Sequence, residues 1–195
     1  MTKTTRLVLA VSSVVLLVPI GANAVSIQPR TVELDARFNF QHTGVSVDLP
    51  AGDDNYGVTI FDLDAGVGYF VNSRVELLGA LVVFHSSIDN LDITNFGLKA
   101  SGYYHFNASG NMIPYVGLGL GLLTHGGDSD FTDQTEAIFP ELSVGLRIPF
   151  EDIVSMNVAA GYRHRFSAFG IEDASGNDFF MGFGISFFLR GGVGE

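Results

Sequence analysis

The feature that most constrains the fold is an alternation of apolar and polar residues with a period of two, which recurs eight times along the chain. The first segment alternates polar residues with Val32, Leu34, Ala36, Phe38 and Phe40. A strand has this period because successive side chains point to opposite faces. Further segments cover residues 61–69, 75–84, 95–106, 113–123, 141–148, 154–165 and 179–187, and the one at 75–84 is weaker because both of its faces are apolar. The pattern predicts an all-β fold of eight strands.

The connections between these segments alternate in length. We expect short turns at residues 71–74, 107–111 and 149–152, and long loops at residues 42–56, 85–92, 125–135 and 167–177. Short turns at one end and long loops at the other are typical of an antiparallel up-and-down β-barrel of the outer-membrane kind.

Alternation alone also fits a soluble barrel or sandwich, because only the direction of the apolar face differs. Three features favour a transmembrane barrel with the apolar face outside. The apolar faces carry no charged residue, as expected where Arg or Lys costs about 2–4 kcal/mol at the bilayer midplane. The polar faces are rich in Gly, Ser and Asn, which suit a narrow lumen. Aromatic residues form a girdle at each end of the apolar faces: Phe40, Phe61, Phe96, Phe166 and Phe179 at the loop end, and Tyr69, Tyr104, Phe106, Phe150 and Phe187 at the turn end.

Three stretches resemble the small bacterial outer-membrane β-barrel family of the OmpA/OmpX type: residues 66–71 (GVGYFV), 113–119 (IPYVGLG) and 161–164 (GYRH). The last segment is similar to the assembly signal of that family, with Gly184, Phe187 and Leu189, although residues 190–195 follow it. The resemblance implies a monomeric barrel in the cell outer membrane with extracellular long loops and periplasmic termini. It also implies outer-membrane lipids, lipopolysaccharide and the export and barrel-assembly machinery as partners.

The N-terminus resembles an export signal. Lys3 and Arg6 precede an apolar stretch at residues 7–20, and Ala22 and Ala24 form a small-residue cleavage site. The alternative, an uncleaved anchor helix, needs about 20 apolar residues to cross the bilayer. We therefore predict a signal peptide at residues 1–24, a short periplasmic segment at 25–30, the barrel at 31–190 and a tail at 191–195.

Charged residues on the polar faces are predicted to meet inside the barrel, where an unpaired charge is unfavourable. They form either a structural plug of salt bridges or a gate for a narrow ion or solute path. This lumen charge network comprises Glu33, Asp35, Arg37, Asp62, Asp64, Glu76, Lys99, Glu141, Arg147, Arg163 and Arg165.

The long loops are acidic and contain no Lys or Arg. Their acids are Asp48, Asp53, Asp54, Asp89, Asp92, Asp128, Asp130, Asp133, Glu172 and Asp173. Such loops repel lipopolysaccharide phosphates unless divalent cations bridge them, and Asp128, Asp130 and Asp133 have only a loose calcium-loop spacing. The net charge of −11 also argues against a nucleic-acid partner.

Other candidate sites are weaker. His42, His85, His125 and His164 fall near the loop end and are expected to be rim residues without a shared metal. Gly117, Gly119 and Gly121 mimic part of a dinucleotide loop, but no helix follows them. We expect no cofactor and no metal.

Three functions are compatible with these residues. A structural or surface-interaction role comes first, and a narrow pore similar to OmpW-type barrels is the alternative, although the absence of Trp weakens that likeness. A lipid A-modifying hydrolase is the remote alternative. Lipid A deacylases have a Ser two residues after a membrane-facing His, but here Phe166 follows His164 at that spacing, with Ser167 and Asp178 as the other candidates. We therefore expect no catalytic residue.

Overall fold

The computed structural model describes residues 25–49, 52–88, 91–125, 137–166 and 175–189. The predicted signal peptide, the C-terminal tail and Asp89, Asp128, Asp130, Asp133, Glu172 and Asp173 lie outside these residues. Strands make up the regular structure: β1 (Val25–Ser26), β2 (Val32–Leu49), β3 (Gly52–Phe70), β4 (Val75–Ile88), β5 (Leu91–His105), β6 (Ser109–Gly110), β7 (Ile113–His125), β8 (Ala137–Glu151), β9 (Val154–Phe166) and β10 (Ser175–Leu189). The described part of the chain contains no helix that is long and apolar enough to cross a membrane.

Eight of these strands form a closed antiparallel barrel in the order β10-β2-β3-β4-β5-β7-β8-β9. The barrel closes between β10 and β2, whose register runs from the pair Phe180 and Gln41 to the pair Leu189 and Val32. Closure gives each strand a hydrogen-bonding neighbour on both sides, which a β-structure needs in order to span hydrocarbon. The prediction of an eight-stranded antiparallel up-and-down barrel is confirmed.

The two faces of the barrel wall have the polarity of a membrane protein. Leu118 and Phe179 on the outer face are 67% and 72% exposed, whereas Arg163 on the inner face is completely buried. A soluble barrel has the opposite arrangement, so the soluble alternative is wrong. All ten residues of the predicted aromatic girdles lie exposed on the outside. Neighbouring rings contact each other at both ends, as in the pairs Phe40–Phe61 and Tyr104–Phe106 with centroids 5.3 and 5.5 Å apart.

The described residues of two predicted long loops are strand instead. The β2–β3 ladder continues to the pair Leu49 and Gly52, and the β4–β5 ladder continues to the pair Ile88 and Leu91. The loop prediction for residues 42–56 is wrong where the alternation changes phase: Val45, Val47 and Leu49 occupy odd positions, whereas the apolar residues from 32 to 40 are at even positions. The β2–β3 ladder continues beyond the part of the barrel wall that faces lipid, and there its outer face need not be apolar. The strands therefore continue although the apolar–polar alternation changes phase.

The N-terminal segment is part of the folded unit. Strand β1 pairs with β6 in a small separate sheet, with Val25 opposite Gly110 and Ser26 opposite Ser109. Because β6 lies in the turn between β5 and β7, this sheet sits at the end of the barrel where the short turns are. We call this the turn end, and the opposite end, where the β2–β3 hairpin projects, the loop end.

Candidate functional site

The barrel interior collects the charged residues that the alternation assigned to it. All eleven residues of the predicted network are buried, and Asp178 joins them, which gives seven buried carboxylates and five buried cations. Each carboxylate has a cationic partner within ion-pair distance: Glu33 and Glu76 pair with Arg147, Asp35 with Arg37, Asp62 and Glu141 with Arg163, Asp64 with Lys99, and Asp178 with Arg165. The interior is therefore a set of paired charges.

Arg163 is the centre of the loop-end half. Its guanidinium donates to Asp62 at 2.9 Å and to Glu141 at 2.7 Å. Lys99 bonds Asp64 and also approaches Glu141 at 3.4 Å, so Glu141 links two cations. Asn39 donates a further hydrogen bond to Asp62.

Aromatic rings surround the Arg163 guanidinium. Its central carbon lies 4.7 Å from the ring centroid of Phe84 and 5.0 Å from those of Phe139 and Phe180. Phe84 and Phe139 belong to a buried cluster that we call the loop-end apolar layer, made of Ile60, Val82, Phe84, Leu123 and Phe139. This layer fills the barrel beside the charged cluster.

Arg147 has the same role in the turn-end half. It donates to Glu33 at 2.8 Å, to Glu76 at 3.1 Å and to the Asn157 side chain at 3.1 Å. Its guanidinium carbon lies 5.3 Å from the centroids of both Phe70 and Phe188. These rings belong to the turn-end apolar layer, made of Ile27, Phe70, Ile113 and Phe188.

Arg37 and Asp35 extend the turn-end cluster through Asn157, which also bonds Arg147. Arg37 Nε lies 2.6 Å from Asp35 Oδ1, and Arg37 Nη1 donates to the Tyr103 hydroxyl at 2.6 Å. Asp35 also accepts from Asn157 at 3.0 Å and from Ser186 at 2.7 Å. The carboxylate thus has several donors, as a buried charge requires.

The predicted network names only charged residues, and the interior holds further polar residues beside them. Asp178, which was predicted only as a candidate catalytic acid, lies inside with its Oδ2 atom 2.6 Å from Arg165 Nε. His105 is buried and its Nε2 atom lies 3.0 Å from Glu76 Oε2. Asp178 has the inward parity of its strand, so the alternation could have identified it, whereas His105 already belongs to the polar face of its segment. Asn39, Tyr103, Asn157 and Ser186 also belong to the polar faces of their segments, and all four are buried inside the barrel.

Interior glycines accommodate the large rings of their neighbours. A Cβ atom added to Gly121 would lie 1.9 Å from Cζ of Phe139, and one added to Gly161 would lie 2.3 Å from Cζ of Phe180. The glycines of the polar faces therefore allow rings and charged side chains to fill the tube.

The two rim histidines whose side chains the structure describes lie on the outer wall. His85 hydrogen-bonds Thr94 at 3.1 Å, and His164 hydrogen-bonds Asn177 at 2.8 Å. At the position where a deacylase-like serine was sought, Phe166 is 52% exposed. Of the residues resembling an assembly signal, Gly184 faces inward, whereas Phe187 and Leu189 face outward.

The remaining rim predictions concern side chains that the structure does not describe, namely those of His42, His125, Asp48, Asp53, Asp54 and Asp92. Among the side chains that it does describe, no three His, Asp or Glu residues are placed to hold a metal ion.

Comparisons with known proteins agree with this architecture. No protein-family model matches the chain, and no curated protein matches it in sequence. Among solved structures, the N-terminal β-barrel domain of Pseudomonas aeruginosa OprF has a TM-score of 0.55 at 20% identity, covering 83% of this chain and 98% of that one. The fold is that of the small outer-membrane β-barrels.

Two further structures have the same fold. The outer membrane protein OprG of Pseudomonas aeruginosa has a TM-score of 0.55 at 13% identity, covering 85% of this chain and 99% of that one. A transmembrane β-barrel designed de novo has a TM-score of 0.50 at 15% identity, covering 85% of this chain and 100% of the design. Because a designed barrel matches about as well as natural ones, these likenesses concern architecture and not activity.

Proposed function

We propose that this protein is an integral outer-membrane β-barrel with a closed interior, which acts through its loop-end segments at the cell surface and not by transport. The observation that carries the proposal is the filling of the interior. Seven buried carboxylates are each paired with a cation, and apolar layers lie in both the loop-end and turn-end halves.

The energetics of this interior oppose a permanently open path. Moving Arg163 aside would separate it from Asp62 and Glu141 in the buried interior, and breaking a buried pair costs about 3–5 kcal/mol. Apolar constrictions add a second barrier because they disfavour a continuous column of water.

The loop end offers a surface for interactions. Pairing of β2 with β10 stops at Gln41, and pairing of β3 with β4 stops at Thr59, whereas the β2–β3 ladder continues to Leu49 and Gly52. Within the described residues, the ribbon therefore extends past the closed wall. Its sequence contains Asp48, Asp53 and Asp54 and no Lys or Arg. We expect its partners to be cationic, or to be anionic lipopolysaccharide bridged by divalent cations.

Single-channel recording tests the closed interior. We expect no steady openings from refolded protein in a planar bilayer, with insertion verified by the heat-dependent change in gel mobility that folded barrels undergo. Reproducible openings in the unmodified protein would contradict the proposal and favour the pore. Matched variants Arg163→Ala and Arg165→Ala test the gate alternative, because either should raise conductance if those cations close a path.

The charged lining of the interior is the observation that favours a pore as the second candidate. Glu141 lies within reach of both Arg163 and Lys99, so exchange of partners is geometrically available. The hydrolase alternative has less support, because His164 bonds an amide oxygen of Asn177 and Phe166 occupies the position of the expected serine. Unchanged lipid A in cells overproducing the protein would remove it.

A further inference from the structure

We propose that residues 25–31 form a strap that closes the turn end of the barrel interior and can detach while the barrel remains folded. The strap deepens the closed interior proposed above and rests on that proposal. It assigns to the N-terminal segment a conformational role that its sequence alone does not indicate.

Among the described side chains of the strap, Ile27 provides the apolar attachment, and a few backbone hydrogen bonds add to it. Ile27 is only 4% exposed and packs with Phe70, Ile113 and Phe188. Its amide donates to the carbonyl of Ala108 at 2.9 Å. On the other side of the strap, the Arg30 amide donates to the Phe70 carbonyl at 2.7 Å.

The strap covers the charged cluster of the turn-end half. Phe70 and Phe188 share the turn-end apolar layer with Ile27, and both rings also lie against the guanidinium of Arg147. Arg147 in turn bonds Glu33 and Glu76. Removing Ile27 therefore opens the apolar layer between this ion cluster and the solvent at the turn end.

The same contacts show why the strap can detach separately. Strand β1 has two paired positions with β6, whereas β10 has ten with β2 and thirteen with β9. Segments with few buried contacts and few backbone hydrogen bonds open locally at a lower free energy than the core. Arg30 also has a φ of 65°, a left-handed conformation that is unfavourable for a residue other than glycine. Detachment of the strap would free Arg30 from this unfavourable conformation, which favours the detached state.

Cysteine labelling tests the strap directly, because the chain has no cysteine. Ser155→Cys places a thiol at a completely buried interior position near the turn end, and Ser86→Cys is a matched buried position near the loop end. Each is combined with Ile27→Ala, and labelling by a small charged thiol reagent is followed in folded, detergent-solubilised protein. Because Ile27→Ala removes a buried aliphatic side chain, we expect it to raise the labelling rate of Ser155→Cys by about tenfold or more. The labelling rate of Ser86→Cys should stay unchanged.

The outcomes separate the two proposals. Slow labelling of Ser155→Cys both with and without Ile27→Ala overturns the strap but leaves the closed interior standing. Fast labelling while Ile27 is intact overturns the closed interior itself. Equal acceleration at both thiols indicates that the whole barrel has loosened, and it also overturns the strap.

A second measurement needs no engineered thiol. Arg30 is exposed, and trypsin cleavage after it requires the strap to leave the barrel, since a protease binds an extended and accessible segment. We expect Ile27→Ala to accelerate this cut by about the same factor as the labelling. An unchanged rate of cleavage in a variant that retains the gel mobility of the folded barrel would contradict the proposal.

Discussion

Replacing Arg163 by methionine tests whether the interior is held by paired charges. The change keeps an unbranched chain among Phe84, Phe139 and Phe180, but it leaves Asp62 and Glu141 without their shared cation. Removing one partner of a buried pair costs about 3–5 kcal/mol, because the remaining charge is desolvated and uncompensated. Loss of the cation–π contacts also lowers the free energy of unfolding, by about 0.5–2 kcal/mol per contact. This loss is not additive with the loss of the ion pairs. We expect Arg163→Met to lower the free energy of unfolding by about 3–5 kcal/mol.

The triple variant R163M/D62N/E141Q separates charge from packing. It removes the two uncompensated carboxylates, so it should recover at least about half of the loss caused by Arg163→Met alone. Arg74→Met, at an exposed turn position, is the control and should change stability by less than about 0.5 kcal/mol. The assay is urea unfolding in lipid vesicles followed by circular dichroism, because the chain has no Trp to report by fluorescence. A loss below about 1 kcal/mol for Arg163→Met, or no recovery in the triple variant, would refute the reasoning.

Three further predictions concern the wall and the hairpin. Gly121→Val should destabilise the barrel, since its Cβ would lie 1.9 Å from Cζ of Phe139, and Phe139→Ala in the same chain should restore part of the loss in the same unfolding assay. Leu118→Arg, on the lipid-facing wall, should cost about 2–4 kcal/mol if it lies near the bilayer midplane, whereas Leu118→Ser should cost less; equal costs would contradict a lipid-facing position. Replacing residues 44–57 with a two-residue Asn-Gly turn, which can join the paired residues Thr43 and Val58, should leave the urea midpoint of the barrel nearly unchanged, because that ribbon pairs only with itself among the described residues; a large shift would show that it supports the wall.

The sequence predicted the wall well because alternation is a local property. The alternate positions of a strand lie on opposite faces whatever the rest of the chain does, so Leu118 was assigned to lipid and Arg163 to the interior without knowledge of their neighbours. The same argument predicted that Glu33, Glu76 and Arg147 face the interior. The prediction was wrong at residues 42–56, where the described residues are still strand but no longer need an apolar outer face. The alternation changes phase there, as is typical of a loop.

The partners inside the barrel could not be predicted in this way. Arg147 and Glu33 are separated by 114 residues, and Asn157 and Asp35 by 122. Which of them meet depends on how the strands are staggered when β10 closes onto β2, and no local pattern encodes that stagger. The two apolar layers were missed for a related reason, because Ile60, Phe139 and Phe188 lie at inward positions where the alternation predicts polar residues.

The sequence by itself determined that this chain forms eight alternating strands with an apolar outer face and a charged inner one, because the period of a strand and the cost of charge in hydrocarbon act on each segment separately. Only the tertiary structure decided which charges pair, which rings fill the space above the glycines, and that Ile27 covers the turn end. These contacts exist only after the barrel closes, because closure brings together side chains that belong to distant strands and fixes the volume they must fill.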